Sequence, residues 1–387
     1  GCLILLQIMK TMQIQNKMNK TNLQESTFDL LQQEIDSGIQ GKNEAIPIGL
    51  KRLGKYANIR PRILTLLFST SGAGKSSMMD TIILNACDSH MSSPTTNKLK
   101  PDFQLFSMER SKLLRIAKWA SFTIFRNEGV EIPVPKLLGW WDEKLTKEEY
   151  SLVLKQKEYI DCLLNDYVTI YEGAKSPNEF YSVMKTHLES KGTYDKIIKK
   201  GKEYKVYIKN TDNEIVIPVI DHGNLIKTTQ VLPSKKQAID KTVEMVQGFR
   251  DLESCSPFWV AQVNRSISSV SRIKDNEHEL MLEDVKESGD VGDACDLALS
   301  LFDPIKYGQS SKTGYKPVDF IDKSDGSNYF RSIQILKSTY GQDSLRIPLA
   351  FNGFCGQFKE LPKRNSMSES EYPTLVENVL NKSYFLT

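Results

Sequence analysis

Residues 62–84, RILTLLFSTSGAGKSSMMDTIIL, join an apolar run, a cluster of small residues and a second, partly apolar run. The compact run RILTLLF is typical of a buried β-strand, and the pattern from Lys75 onward predicts a helix with one apolar side. Between them, residues 69–76 (STSGAGKS) fit the P-loop pattern, with Ser69 where the strict form has its first glycine. The stretch therefore predicts a strand, a phosphate-binding turn and a helix.

The small residues of this turn have a chemical explanation. Consecutive backbone N–H groups can surround phosphate oxygens only where bulky side chains are absent, and the helix N-terminus adds partial positive charge. In such a turn Lys75 would bridge the β- and γ-phosphates, and the Ser76 hydroxyl would ligate Mg²⁺. The alternative is an ordinary Gly/Ser turn, but the flanking strand and apolar helix favour phosphate binding. The predicted phosphate-binding residues are Ser71, Gly72, Ala73, Gly74, Lys75, Ser76 and Ser77.

Three polar residues close three other apolar strands. Asp221 ends IVIPVID, Glu109 ends FQLFSME and Gln262 follows FWVA. In a parallel sheet these positions share one edge, where Asp221 could serve Mg²⁺, Glu109 could polarise a water and Gln262 could contact a γ-phosphate. Each could instead be an ordinary solvated strand end. Three such residues together favour a hydrolytic nucleotide site.

Strands alternate with helical segments along the chain, which predicts an α/β fold with a mostly parallel twisted sheet and helices on both faces. The run SIQILKS…RIPLAFN predicts an antiparallel C-terminal hairpin at an edge. The segment KEYKVYIKNTDNEIVIPVIDHG predicts a second hairpin that turns at residues 210–213 and whose second arm continues as a buried strand.

Composition excludes several classes of protein. With 387 residues, 40% of them hydrophobic, the chain can bury a large core, and a net charge of +3 gives no overall basic field for nucleic acid. Any such binding would need local basic loops. The six cysteines lack CxxC or zinc-ligand spacing, and the N-terminal apolar run is too short to span a bilayer. We therefore expect reduced thiols and a cytoplasmic protein.

The order of motifs is familiar. IPIGLKRL, the P-loop, FQLFSMERSKLLRIAKWAS, IPVIDHGNL, AQVNRS, LEDVKESGDVGDACDLALSLF and ILKSTYG…RIPLAFNG…GQFKEL follow one another. Together they resemble the RecA-like motor domain of DnaB-type replicative hexameric helicases, especially phage versions. The resemblance runs from about Ile46 to Leu361. It implies a RecA-like P-loop NTPase core, ATP and Mg²⁺ bound between subunits of a ring, and translocation on single-stranded DNA.

The resemblance also implies roles for individual residues. Lys75 and Ser76 match the P-loop pair, and Lys337 matches a basic residue that a neighbouring subunit supplies to the γ-phosphate. The family's arginine finger falls at Thr339, and loss of such an arginine can lower the rate by orders of magnitude. Arg331 or Arg346 could substitute for it in space. The matched catalytic and metal-binding residues are Lys75, Glu109, Gln262 and Lys337, with Ser76 and Asp221 for Mg²⁺.

Two basic loops follow the Asp221 and Gln262 strands. In the family such loops line the pore of the ring, and lysines and arginines there can contact phosphates. Neither loop carries an aromatic residue for base stacking, so we expect binding without sequence preference; the alternative is an ordinary polar loop. The candidate DNA-binding residues are Lys227, Lys235, Lys236, Arg265, Arg272 and Lys274.

These expectations give a domain layout and two functions. Residues 1–25 would be a disordered or non-native tail, 26–45 a linker helix, 46–362 the motor domain with a hairpin insertion at 194–216, and 363–387 a C-terminal tail. The first function is an ATP-dependent DNA helicase acting as a homo-oligomeric ring, expected to be a hexamer, with a separate primase or loader as a further partner. The second is a nucleotide-switched binding protein with weak turnover. A RecA-like recombinase would need a polymerisation arm that we cannot identify.

Overall fold

A computed structural model describes residues 27–40, 44–95, 98–199, 202–263, 279–285, 289–308 and 311–386. The chain divides into two units, residues 1–44 and 45–387. In the first unit the described element is helix α1 (Thr27–Ile39), whose exposed apolar side chains recur along one stripe. All the other elements named below belong to the second unit.

The described elements of the second unit alternate between strand and helix. The strands are β1 (Thr65–Ser69), β2 (Lys100–Ser107), β3 (Val168–Glu172), β4 (Gly192–Lys199), β5 (Lys202–Lys209), β6 (Glu214–Asp221), β7 (Phe258–Gln262), β8 (Leu297–Phe302), β9 (Phe330–Ser338), β10 (Arg346–Asn352) and β11 (Gln357–Glu360). The helices are α2 (Lys51–Ala57), α3 (Lys75–Ser92), α4 (Lys112–Glu128), α5 (Val134–Leu137), α6 (Lys147–Lys155), α7 (Lys157–Cys162), a π-helical turn (Leu163–Tyr167), α8 (Pro177–Lys191), α9 (Lys235–Glu253), α10 (Gly289–Ala294) and α11 (Glu371–Leu380).

Nine of the described strands form one sheet in the order β11-β10-β9-β8-β1-β7-β6-β2-β3. The strands from β8 to β3 in this order are parallel, and β9, β10 and β11 are antiparallel. The P-loop strand β1 lies between β8 and β7, near the middle of the sheet. The predicted mostly parallel sheet with an antiparallel C-terminal hairpin is therefore confirmed. The short strand β11, which we did not predict, extends the hairpin side of the sheet.

The central strands are buried on both faces, because helices cover each side. All residues of β1 and β8 are buried. Leu67 packs into a cluster with Ile82 of α3, whereas its neighbour Leu66 packs into a second cluster with Ile239 and Val243 of α9. Alternate residues of one strand thus serve two cores, which explains why the sequence of β1 is an unbroken apolar run.

The second predicted hairpin is wrong in its pairing. The antiparallel partner of β5 is β4, with Gly192 opposite Lys209, and β6 instead joins the main sheet between β7 and β2. The reason is burial: β6 is buried along nearly its whole length, whereas most residues of β5 are exposed. A strand that is apolar on both faces gains more from a central position than from a local hairpin.

The segment that we set apart as a C-terminal tail, residues 363–387, contains packed structure. It includes α11 and a short 3₁₀ turn, Ser383–Phe385. Leu375, Val379 and Phe385 lie in a buried cluster with Phe125 and Phe330 of the main unit. Its described residues therefore extend the core.

The five cysteines that the structure describes are all free. Four are buried and Cys162 is half-buried. Among the described residues, no helix combines the length and apolar character needed to cross a membrane.

Candidate nucleotide-binding site

The order of strands brings the predicted site residues to one edge of the sheet. Strands β1, β7, β6 and β2 are consecutive neighbours. Ser69, the last residue of β1, lies opposite Gln262, and Asp221 lies opposite Ser107, two residues before Glu109. The P-loop, both carboxylates and the glutamine therefore meet where these four parallel strands end.

The P-loop backbone has the geometry of an anion cradle. Gly72 and Gly74 have φ angles of +81° and +103°, in the left-handed region that favours glycine. A Cβ atom on Gly74 would lie 2.9 Å from Cζ of Phe358, so a larger residue would not fit. Helix α3 begins at Lys75, its N-terminus has no side-chain cap and its first turn has no acidic residue. Its first amide groups are thus left for an anionic ligand, and this fits a phosphate.

The predicted residues line one cleft of about 560 Å³. Its lining includes Ser71, Gly72, Gly74, Lys75, Ser76, Ser77, Glu109 and Gln262. Ala73, the remaining predicted P-loop residue, is buried in the turn. The cleft therefore contains both the phosphate-binding turn and two of the three polar strand ends.

Lys75 and Asp221 carry the main charges of the cleft floor. Burial lowers the pKa of the Lys75 ammonium, while the negative charges of Asp221 and Glu109 act in the opposite direction. Burial alone would raise the pKa of Asp221, but the guanidinium of Arg115 holds that pKa below its usual value. Asp221 is therefore ionised at neutral pH although it is 2% exposed.

Ser76 and Asp221 suit a magnesium ion. The Ser76 hydroxyl donates to Oδ1 of Asp221 over 3.4 Å, so a hydroxyl oxygen and a carboxylate oxygen face the same point. Within the described ranges no group of three or more His, Cys, Asp or Glu side chains could hold a metal by itself. Mg²⁺ commonly binds through one or two protein oxygens together with phosphate oxygens and waters, so these residues fit a nucleotide-bound ion.

Glu109 faces solvent at the mouth of the cleft. Its side chain is 55% exposed, and Oε2 lies 3.8 Å from Nε2 of His222. Burial, and then the charge of Lys75, lower the pKa of His222, so its imidazole is neutral at neutral pH. The turn that carries Glu109 is fixed by Ser107, whose hydroxyl donates to the carbonyl of Arg110 over 2.7 Å. Glu109 is thus a positioned carboxylate that water can reach.

Gln262 is fixed through its backbone. Its N–H donates to Oδ1 of Asn224 over 3.1 Å, which ties the end of β7 to the turn after β6. The Gln262 side chain lines the cleft. It is therefore free to contact a ligand phosphate while its main chain is held.

Lys337 lies at the other edge of the sheet. It is opposite Ala298, near the start of β8, whereas the P-loop end of β8 faces Ile333, four residues or about 13 Å further along β9. Its ammonium donates to the carbonyls of Gly292 (3.0 Å) and Asp293 (2.8 Å). Lys337 does not reach the cleft of its own chain.

The candidate DNA-binding residues are described only in part. Lys227 is exposed. The Lys235 ammonium donates to the carbonyl of Ile226, and exposed Lys236 forms an ion pair with Asp240 at 2.7 Å. The remaining candidates, Arg265, Arg272 and Lys274, lie outside the described residues.

Sequence reasoning missed Arg115, the most buried charge beside the cleft. Arg115 is 2% exposed; Nη1 lies 2.7 Å from Oδ1 of Asp80, and Nη2 bonds to Asp221. Trp119 also donates to Asp80, over 3.0 Å. The available signal was spacing: Arg115 and Trp119 are one helical turn apart on α4, which places both on one face. This guanidinium connects the P-loop helix, through Asp80, with the strand-end carboxylate of Asp221.

Lys118 was also missed. It lines the cleft, and its Nζ lies 2.6 Å from Oγ of Ser77 and 3.5 Å from Oδ2 of Asp80. Burial lowers the pKa of Lys118 to about 8, although Asp80 favours the charged form. A second ammonium thus stands beside the P-loop, supplied by helix α4.

Replacing Arg115 with methionine should lower the free energy of unfolding by about 3–5 kcal/mol, because Asp80 and Asp221 would become buried carboxylates without their shared cation. Urea denaturation at pH 7 measures this. Lys112→Met, an exposed position on the same helix, is the control and should stay within about 0.5 kcal/mol of the unmodified chain. An Arg115→Met chain as stable as the control would contradict the structural role of this ion pair.

Comparison with known proteins identifies the fold. No protein-family profile matches the chain, and no curated protein matches it. The solved ATPase domain of a DnaB-like helicase matches with a TM-score of 0.64 at 16% identity, over 87% of this chain and 100% of that chain. A DnaB-like replicative helicase, solved in a study of its interactions with primase, matches with a TM-score of 0.63 at 17% identity, over 92% of this chain and 75% of that chain. The predicted RecA-like fold of the DnaB type is confirmed.

Proposed function

We propose that this chain is an ATP-dependent motor of the DnaB type that translocates on single-stranded DNA and separates the duplex during replication. The observation that carries the proposal is the joint placement of Lys75, Asp221, Glu109 and Gln262 around one edge of the sheet. A phosphate-binding turn alone would support nucleotide binding. The added carboxylates and amide are the groups that hydrolysis requires.

Each residue has a task that follows from its position. The P-loop amides and the Lys75 ammonium would hold the phosphates, and Ser76 and Asp221 would hold Mg²⁺, which supplies positive charge to the phosphate oxygens when bound. Glu109 would orient a water and accept its proton, because its carboxylate is open to solvent at the cleft mouth. Gln262 would contact the γ-phosphate and lead into the basic segment that follows β7.

Assembly into a ring is supported by what one chain lacks. Lys337 is far from its own cleft, so it can serve a γ-phosphate only on a neighbouring copy. Helix α1 exposes an apolar stripe that a partner surface could cover: Phe28, Leu31, Ile35 and Ile39. We therefore infer a homo-oligomer, with a hexamer as the expected form. One of the solved relatives was studied with primase, and a primase or loader is the further partner we propose.

The second candidate function is a nucleotide-controlled binding protein with weak turnover, favoured by the arginine positions. Thr339 replaces the expected finger, and Arg331 is buried, with Nη2 3.3 Å from Asp303 and Nε donating to the P-loop carbonyl of Ala73. Arg346 makes two bonds to Glu279. None of these residues offers a guanidinium that is clearly available to a neighbouring site.

Measuring ATP turnover with and without single-stranded DNA separates the two functions. A motor should hydrolyse ATP faster when the strand is present and should separate a forked duplex. Tight nucleotide binding with slow turnover that DNA does not change would instead support the binding protein. Particle mass with ATP and DNA, from native mass spectrometry, tests the ring in the same samples.

A further inference from the structure

We propose that Trp140 stacks on the base of the bound nucleotide, so that the turn containing residues 134–144 supplies the base subsite of the cleft. This inference rests on the proposed nucleotide-binding function and adds the part of the ligand that the P-loop cannot recognise. Three properties of the turn carry it: the exposure of the indole, the polarity of the cleft and the rigidity of the backbone.

Two consecutive tryptophans are exposed in this turn. Trp140 is 64% exposed and Trp141 is 43% exposed, whereas Trp119 and Trp259 are fully buried. Of the exposed pair, Trp140 is the one that lines the cleft of the P-loop. Large aromatic side chains on a surface commonly mark a binding site, because burying them in water-free contact is favourable.

The cleft changes from polar to apolar along its lining. The P-loop backbone and the ammonium groups of Lys75 and Lys118 provide the polar part. The apolar part is formed by Leu114, Val134, Pro135, Trp140 and Phe354. A nucleotide has the same division, with an anionic phosphate chain at one end and a flat aromatic base at the other. The volume of about 560 Å³ is also in the range of small-ligand pockets.

Hydrogen bonds hold the turn in one conformation. The Trp140 N–H donates to the carbonyl of Pro135 over 2.8 Å, and the Lys144 ammonium donates to the carbonyls of Gly139 (3.2 Å) and Trp141 (2.9 Å). Gly139, with a φ of +70°, allows the tight reversal before the indole.

The start of the turn is anchored as well. Lys136 is 8% exposed and bonds to both Glu143 and Glu149, the latter at 2.7 Å. An aromatic side chain on a fixed backbone loses little conformational freedom when a ligand binds, which favours affinity.

Substitution of Trp140 should affect the base and leave the phosphates. Stacking on an aromatic side chain is sensitive to alanine substitution, so Trp140→Ala should raise the Kd for ATP by about 5- to 150-fold. Inorganic tripolyphosphate with Mg²⁺, which has the phosphates and no base, should bind both chains equally. Trp140→Phe should recover most of the affinity for ATP, since it retains an aromatic face.

The experiment measures the Kd of ATP and of tripolyphosphate by isothermal titration calorimetry for the unmodified full chain, Trp140→Ala, Trp140→Phe and the control Trp141→Ala. The control should bind ATP like the unmodified chain. Tryptophan fluorescence gives a second readout: ATP should quench the unmodified chain, and the quench should shrink in Trp140→Phe.

The outcomes separate this inference from the proposed function. If Trp140→Ala binds ATP as tightly as the unmodified chain, or loses affinity for tripolyphosphate to the same degree as for ATP, the base subsite is overturned and nucleotide binding stands. If the unmodified chain binds neither ligand, the proposed function fails and the subsite fails with it. A selective loss of ATP affinity, restored by phenylalanine, supports the stacking contact.

Discussion

Lys75→Ala should remove ATP turnover almost completely, with a loss of at least about 10²–10³-fold, the magnitude typical of losing one group that stabilises developing charge. Lys75 is the P-loop ammonium of the cleft floor, and Asp221 and Glu109 are the negative groups nearest to it. Without its charge, a triphosphate would face two carboxylates with less compensation. Nucleotide affinity should fall along with the rate. Steady-state hydrolysis and calorimetric binding measure both effects.

Lys306 supplies a matched control for this experiment. Its ammonium donates to the P-loop carbonyl of Ser71 over 2.7 Å, but Lys306 is an exposed residue outside the cleft lining. Lys306→Ala should therefore retain most of the turnover. If both substitutions reduced the rate equally, positive charge near the loop would matter in general, and the specific role of Lys75 would be contradicted.

Loss of folding cannot explain the expected effect of Lys75→Ala. Burial lowers the pKa of Lys75 in the folded chain, so folding disfavours its charged form, and the cost applies at any pH below the ordinary pKa of lysine. Removing the ammonium should leave the stability at pH 7 unchanged or slightly higher. Thermal unfolding of the same samples checks this point.

Much of the site could be predicted from the sequence because its signals are local. The P-loop is a single short stretch, and Asp221, Glu109 and Gln262 each end a recognisable apolar strand. In a parallel sheet, strand ends share an edge regardless of which strands are neighbours. Their meeting at one edge therefore did not depend on knowing the strand order.

The parts that could not be predicted depend on packing between distant segments. Arg115 and Lys118 look like ordinary charged positions of an amphipathic helix until α4 packs beside the P-loop helix. Pairing of β5 with β4 was missed because a polar turn at residues 210–213 suggested a different partner. Trp140 gave a visible dipeptide, Trp140–Trp141, but no indication of which cleft it would line.

The position of Lys337 has a consequence for regulation of turnover. Because each chain holds this lysine at the sheet edge opposite its own P-loop, a ring would be needed to complete the site that we propose. Isolated chains should then bind nucleotide through Lys75 and the P-loop but hydrolyse it slowly. Coupling hydrolysis to assembly in this way would restrict ATP consumption to the assembled form.

Glu109→Gln should reduce turnover by about 10²–10⁴-fold, the usual contribution of a general base, while nucleotide binding remains near normal. Glutamine has almost the same shape as glutamate but cannot accept a proton from water. The side chain is 55% exposed at the cleft mouth, so the substitution should not disturb the core. Single-turnover hydrolysis and ATP binding, measured on the same preparation, give the two quantities.

Glu172 is the matched control for Glu109. It ends β3, the strand beside β2, and lies opposite Ser107 at the same edge of the sheet, but it is outside the cleft lining and accepts a bond from the backbone N–H of Lys112. Glu172→Gln should therefore hydrolyse ATP at nearly the unmodified rate. A difference between these two variants would assign the effect to the position of the carboxylate and exclude a general change in charge at this edge.

Full turnover in Glu109→Gln would refute Glu109 as the base and direct attention to His222. That imidazole is the closest titratable neighbour of Glu109 in the described structure, at 3.8 Å, and its lowered pKa leaves it neutral and able to accept a proton at pH 7. If His222 were the base, the rate would fall as the pH dropped through its pKa, and His222→Asn would abolish this dependence. If Glu109 is the base, His222→Asn should leave the pH profile largely unchanged while Glu109→Gln remains inactive throughout.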